Sequence, residues 1–291
     1  VGSVLVWFAL SGLSTDGRAT LRKIAAASVV VAALLSAIRL PVRASFLAGG
    51  TFEGAIDPIL LGMVAESPLG VSIALRCAGL TVILAILLPG RVGTWIALGG
   101  AILASASFAF RGHTLGEPRA MLGALITLHI LWLAFWIGSF APLSRAARTE
   151  TPAAAGSLAH EFGTKALWVV GTLVAAGAAT LILLGAATPA ALETAYGQIF
   201  VVKLAIFTAV LSLAAFNKMR LTPALMSAAP GAGDRLRRSI RIEACLIAVI
   251  LAATAALTTV TTPPRDEARS AARAEITTVA DHSSGGLPWR S

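Results

Sequence analysis

The residues best suited to chemistry in this sequence are a few histidine, methionine and cysteine side chains in or near apolar segments. His129 lies within the apolar run 120–143. At a helical rise of about 1.5 Å per residue, it is roughly 14 Å from the start of that run, near the middle of a bilayer. An ionisable residue inside a membrane span is costly and is therefore a functional candidate. The structural alternative is that His129 is a core histidine hydrogen-bonded to a neighbouring helix.

Other soft side chains are expected on the outer side of the same membrane. His113 precedes the run, Met121 opens it, Met63 lies in an outer segment, and Cys77 is about 10 Å below that surface. Imidazole, thioether and thiolate groups are ligands for copper, and thioethers favour Cu(I). His113 and His129 are up to about 15 Å apart, which predicts two separate metal-binding sites. The structural alternative is that the methionines pack and that the cysteine is a small apolar residue.

The composition requires elements that lie in a membrane. Of the 291 residues, 57% are hydrophobic and only 13% are charged, and the mean hydropathy is +0.83. Soluble domains carry about 25% charged residues, so disorder, coiled coils and nearly all soluble folds are excluded. The net charge of +9 is spread between apolar segments. It is therefore expected to orient the chain in a lipid bilayer, with no nucleic-acid partner.

Eight apolar runs predict an all-α, polytopic membrane helical bundle with about eight transmembrane helices. A polypeptide in lipid must satisfy its backbone groups internally, and these runs are too long for barrel strands. The first run is short and is expected to be the remainder of a span. The runs are 1–13, 24–40, 70–88, 92–110, 120–143, 166–187, 198–216 and 242–260.

Lysine and arginine residues are concentrated in the loops that follow the first, third, fifth and seventh runs. The positive-inside rule places these loops in the cytoplasm and both termini in the periplasm of a bacterial inner membrane. Residues 1–262 would form the bundle, with an outer insertion at 41–69 and a cytoplasmic loop at 217–241. Residues 263–291 would be a flexible periplasmic tail.

Two cations lie inside predicted spans, and neither Arg76 nor Lys203 has an obvious acidic partner in its own helix. Both are expected to extend toward the outer interface or to hold an anionic group. On the opposite side, His160, Glu161 and Glu243 are expected to be solvated. The sequence contains none of the common nucleotide-binding or catalytic motifs, so no enzymatic activity is expected.

Two segments resemble the CopD copper-resistance family. In the first, Gly112-His113 precedes a helix with His129, six residues, and then Trp136-Ile137-Gly138. The second begins at Thr194 and carries further motif positions in order. These are Tyr196-Gly197, Lys203-Leu204, Asn217-Lys218 and Pro223. The resemblance covers roughly residues 100–225.

This resemblance implies an inner-membrane protein that moves copper ions from the periplasm toward the cytoplasm, often with a periplasmic copper-binding protein of the CopC type. It marks His113, His129, Trp136, Gly138, Tyr196, Gly197 and Lys203 as motif positions. One alternative is a haem-binding electron-transfer protein, in which His129 or His113 is an axial ligand and Arg76 and Lys203 hold the propionates. Another is an assembly scaffold without transport activity.

Overall fold

The computed structural model describes residues 1–110, 118–183 and 195–260, without the side chains of residues 195, 196 and 256–260. The predicted ligand His113, the side chain of Tyr196 and the predicted tail 263–291 lie outside this part of the chain. Throughout the described residues the regular structure is helical, with no strand. This confirms the all-α prediction and follows from the need to satisfy backbone polar groups within lipid.

The helices follow the apolar runs in order. Short 3₁₀ turns at Leu84–Leu87 and Ser107–Phe110 extend two of them, and a π-helical turn at Asn217–Leu221 joins two others. The helices are α1 (Gly2–Ala9), α2 (Thr15–Leu47), α3 (Phe52–Ile56), α4 (Pro58–Glu66), α5 (Pro68–Ile83), α6 (Gly90–Ala106), α7 (Arg119–Thr149), α8 (Pro152–Leu183), α9 (Ala195–Phe216), α10 (Thr222–Met226) and α11 (Ala232–Val260).

Six segments of the described chain are long and apolar enough to cross a membrane, which makes this a multi-pass membrane protein. The first predicted span corresponds to α1, with eight residues, and the eighth falls within α11. The count of eight and the location of the termini stay predictions. The six segments are Thr15–Leu47, Pro68–Leu87, Gly90–Phe110, Arg119–Thr149, Pro152–Leu183 and Gly197–Met226.

The helices extend beyond several predicted boundaries. Helix α2 continues through Pro41 to Leu47, so the insertion predicted to begin at residue 41 starts inside a helix. The rest of that insertion contains α3 and α4. Helix α4 begins at Pro58 because the Asp57 carboxylate caps it, accepting a 2.7 Å hydrogen bond from the amide of Ile59. The predicted loop 217–241 is also mostly helical, containing the π turn, α10 and the start of α11.

The chain divides into two compact units. The first contains Val1–Ala179 and Leu213–Ala244, and the second contains Thr180–Ser212 and Cys245–Ser291. The first unit holds the described candidate metal ligands, whereas Lys203 belongs to the second. In the first unit, many apolar side chains of α2 are exposed, including Val30, Leu34 and Ile38. This is the surface expected of a helix that faces lipid.

Close helix crossings in the first unit depend on glycine. A Cβ atom on Gly2 would lie 2.2 Å from the carbonyl oxygen of Ala134, and one on Gly138 would lie 2.5 Å from the carbonyl carbon of Gly2. Helices α5 and α6 cross in the same way, since a Cβ on Gly79 would lie 2.7 Å from the oxygen of Gly100. Small residues let membrane helices approach this closely and gain packing energy. Motif residue Gly138 is therefore a helix-packing position.

Candidate functional site

Helix α7 carries three of the predicted site residues, His129, Trp136 and Gly138. His129 is half-buried, whereas the Trp136 side chain is only 3% exposed. Trp136 follows His129 by seven residues, which is close to two helical turns, so the two share a face of the helix. Gly138 is the contact point with α1. The α7 motif thus combines a candidate ligand, a buried indole and a helix crossing.

The buried indole leads to a carboxylate that the sequence analysis expected to be solvated. The Trp136 Nε1 donates a 3.2 Å hydrogen bond to Oε2 of Glu243. The amide Nδ2 of Asn217 donates to the other carboxylate oxygen, Oε1. Glu243 is only 4% exposed, so the expectation of solvent exposure was wrong. The physical reason is that the carboxylate finds donors on two other parts of the chain, and these replace water.

Asn217 opens the π-helical turn that follows α9. Its carbonyl oxygen accepts hydrogen bonds from the backbone amide and the hydroxyl of Thr222, the latter at 3.0 Å. Its side-chain oxygen Oδ1 is buried and has no hydrogen-bond partner within the described structure. The buried hydroxyl of Ser239, one turn before Glu243 on α11, is also unpartnered there. π-helical turns are frequent at functional sites.

The other predicted metal ligands are spread over separate helices. Met63 on α4 is 60% exposed and Met121 at the start of α7 is 49% exposed, while Cys77 on α5 is half-buried. Within residues 1–110, 118–183 and 195–260, no three histidine, cysteine or acidic side chains are grouped to hold one ion. With His113 outside the described residues, the five-residue ligand set stays a prediction.

A large apolar cavity lies at the α6–α7 end of the first unit. Its volume is about 810 Å³, and the lining described for it includes Phe110, Arg119, Thr127 and Leu131 but neither His129 nor Met121. The polar groups that Arg119 and Thr127 contribute are not soft metal ligands. The described part of this lining therefore adds no soft ligand to the predicted copper site.

Arg76 turns inward to neutral partners on the neighbouring helix. Its Nε donates a 3.1 Å hydrogen bond to the hydroxyl of Ser107, and the guanidinium stacks 4.0 Å from the ring centroid of Phe108. The Ser72 hydroxyl donates to the carbonyl of Ser107 at 2.7 Å and completes this group. Half-buried Lys203 lies on α9, and its role stays a prediction. Arg76 thus links α5 to the end of α6, rather than extending freely to the interface.

Glu161 is a second carboxylate whose role the sequence analysis missed. It accepts hydrogen bonds from the amide and hydroxyl of Ser11, both at 2.9 Å, and from the amide of Gly12 at 3.0 Å. Lys165, one turn later, pairs with it at 2.6 Å and donates to the carbonyl of Ala9. The pair therefore caps the end of α1. His160, beside it in sequence, is exposed as expected.

Comparisons with known proteins agree with the sequence resemblance. Residues 156–257 match the family model described as copper resistance protein D. Residues 1–118 match the model of the copper resistance protein D-like N-terminal domain. The two matches cover separate stretches of the chain. They include Asn217 and Glu243 in one match and Arg76 and Cys77 in the other.

One curated relative is the copper transport protein CutJ of Bacillus subtilis (strain 168). The two sequences are 26% identical over 265 residues, which is 84% of this chain and 46% of CutJ. The chain thus spans about half the length of the curated relative that it matches. No solved structure gives a significant match. The two family models are named for copper resistance, and the relative is named for copper transport.

Proposed function

Because this chain belongs to the copper resistance protein D family, we propose that it moves copper ions across the bacterial inner membrane, from the periplasm toward the cytoplasm. The observation that carries the proposal is the position of His129 in a membrane-spanning helix, two turns from the motif indole of Trp136. Copper is the cargo of this path, and imidazole is a suitable ligand for it.

The proposed path begins at the outer mouth, with His113 and Met121, and continues to His129 with Cys77. Met63 on exposed α4 supplies a further thioether on the same outer side. Separate sites that coordinate the ion weakly suit transport, because an ion that is held too tightly does not leave. A CopC-like periplasmic protein would deliver copper to this mouth.

Copper accumulation in cells tests the role of His129. Total cell copper is measured for cells that express the wild-type chain, His129→Ala or His160→Ala, at matched membrane levels. His160 is the control because it is an exposed histidine on α8. We expect His129→Ala to reduce copper to the level of cells without the protein, and His160→Ala to resemble wild type. Wild-type accumulation by His129→Ala would remove His129 from the path.

Measurements on the purified protein and on the same cells distinguish copper transport from the two alternatives. A haem held by two histidines needs a partner for His129 on a facing helix, and the other described histidine, His160, is exposed. Elemental analysis with a visible spectrum measures copper, iron and any Soret band. Iron with a Soret band would support the haem alternative. Wild-type expression without any gain in cell copper would support the scaffold.

A further inference from the structure

Glu243 is a buried carboxylate whose hydrogen-bond donors are both neutral. Its oxygens accept from the indole of Trp136 and from the amide of Asn217, and its side chain is only 4% exposed. Removing an ionised carboxylate from water is costly unless a cation or several donors compensate for the lost hydration. Two neutral donors compensate only in part. A carboxylate in this position is suited to gaining and losing a proton.

No described cation pairs with Glu243. Its neighbours one turn away on α11, Ser239 and Ile247, carry no charge, and Arg238 and Arg241 on the same helix are exposed. The cations of the surrounding segments have partners elsewhere. Lys218 donates to the carbonyl of Gly163 at 3.1 Å, Lys165 pairs with Glu161 at 2.6 Å, Arg145 with Asp16 at 2.9 Å and Arg237 with Asp234 at 3.1 Å.

The amide of Asn217 can serve both protonation states of the carboxylate. In the structure, Nδ2 of Asn217 donates to the carboxylate, which is the arrangement that suits ionised Glu243. The other end of the amide, Oδ1, is buried and unpartnered in the described structure. Rotation of the amide would turn this oxygen toward a protonated Glu243, whose O–H group would then donate to it. One hydrogen bond between the two side chains is kept in each state.

We propose that Glu243, Asn217 and Trp136 form a proton-binding site that links α7 to the π-helical turn. The carboxylate takes one proton from a hydronium ion of the adjoining aqueous phase: an O–H bond forms on Glu243, one O–H bond of the hydronium ion breaks, and a water molecule leaves. The buried, unpartnered hydroxyl of Ser239 provides a polar group between Glu243 and the start of α11. Since α7 also bears His129, the proton site is coupled to copper movement, and this coupling rests on the proposed function.

Infrared difference spectroscopy of the purified, copper-free full chain tests the proton site by itself. A pH change should produce the C=O band of a protonated carboxyl group that is lost in Glu243→Gln. Gln keeps the shape of the protonated side chain and can bond to both partners, so this variant is expected to fold. Glu66→Gln is the control because Glu66 is an exposed carboxylate. A band that survives unchanged in Glu243→Gln would overturn the proposal.

A second variant keeps the test decisive if Glu243→Gln does not fold. Glu243→Asp retains the carboxyl group but shortens its reach to Trp136 and Asn217. The midpoint of the same infrared band should then shift relative to wild type. An unchanged midpoint would mean that the titrating group is elsewhere, and the proposal would be wrong.

Copper uptake into proteoliposomes tests the coupling. The initial uptake rate of the wild-type chain should vary with pH by up to about tenfold per pH unit, which is the limit for one linked proton. The rate of Glu243→Gln should be nearly independent of pH. If both proteins transport copper with the same pH profile, the coupling is refuted. If the wild-type chain transports no copper, the proposed function fails, while the infrared result still decides the proton site.

Discussion

The indole Nε1 of Trp136 on α7 donates a 3.2 Å hydrogen bond to the carboxylate of Glu243 on α11, across 107 residues of sequence. Both side chains are almost completely buried. The bond joins α7 to α11 within the first unit and places the tryptophan of the predicted α7 motif beside an ionisable group. The Trp136 side chain therefore makes a specific polar contact in addition to its apolar packing.

Trp136→Phe should lower the stability of the protein because it leaves the Glu243 carboxylate without one of its two donors. The expected loss in free energy of unfolding is about 1–3 kcal/mol, the cost of an unsatisfied buried polar group. Thermal unfolding in detergent, followed by size-exclusion chromatography, measures the change. The matched control is Trp168→Phe, since Trp168 is 78% exposed. Equal unfolding temperatures for the two variants would contradict this account of the Trp136–Glu243 bond.

The membrane helices could be predicted because each apolar run is a local signal of bilayer length. Their ends could not, as α2 shows. Beyond residue 40, its turns contain Arg43 and Ser45 and leave the apolar pattern, yet the helix continues to Leu47. Such turns are stabilised by the backbone and by neighbouring helices, and neither contribution appears in a hydropathy pattern.

The candidate site was predictable only on one helix. His129, Trp136 and Gly138 share α7, so their spacing alone relates them. Glu243 was misjudged because it was grouped with His160 and Glu161 as a solvated residue of the cytoplasmic side, whereas its environment depends on Trp136, which is distant along the chain. The available signal was its place within the last apolar run, where an ionisable residue is a functional candidate.

Two glycine substitutions should have opposite effects on stability, because Gly138 lies at the crossing of α1 and α7 whereas a Cβ atom on Gly171 would meet no atom within 4 Å. Gly138→Ala would place a methyl group 2.5 Å from the carbonyl carbon of Gly2, so the helices must separate. We expect a loss of about 1–3 kcal/mol in the free energy of unfolding, as for overpacked cores. Gly171→Ala on α8 meets no atom within 4 Å and should instead gain about 0.5–1 kcal/mol from its better helix propensity. Thermal unfolding of both variants checks the signs, and destabilisation of equal size would exclude a specific role for the crossing.

The contact between Glu161 and the end of α1 predicts a local change in hydrogen exchange. Glu161→Gln removes the negative charge of the carboxylate, which accepts hydrogen bonds from the amides of Ser11 and Gly12 and pairs with Lys165. Because hydrogen bonds to a charged group contribute about 1.5–3 kcal/mol, these two amides should exchange faster by one order of magnitude or more.

Hydrogen exchange of the purified protein, followed by mass spectrometry, measures this effect on peptides that contain residues 9–13. Exchange in α5 serves as the internal reference, since that helix does not contain the Glu161 contact. Glu66→Gln is the matched variant, because Glu66 is exposed at the end of α4. Faster exchange at residues 9–13 in Glu161→Gln alone is expected. Unchanged exchange there would mean that the end of α1 is held by its apolar core contacts, through Leu10 and Leu13, rather than by the carboxylate.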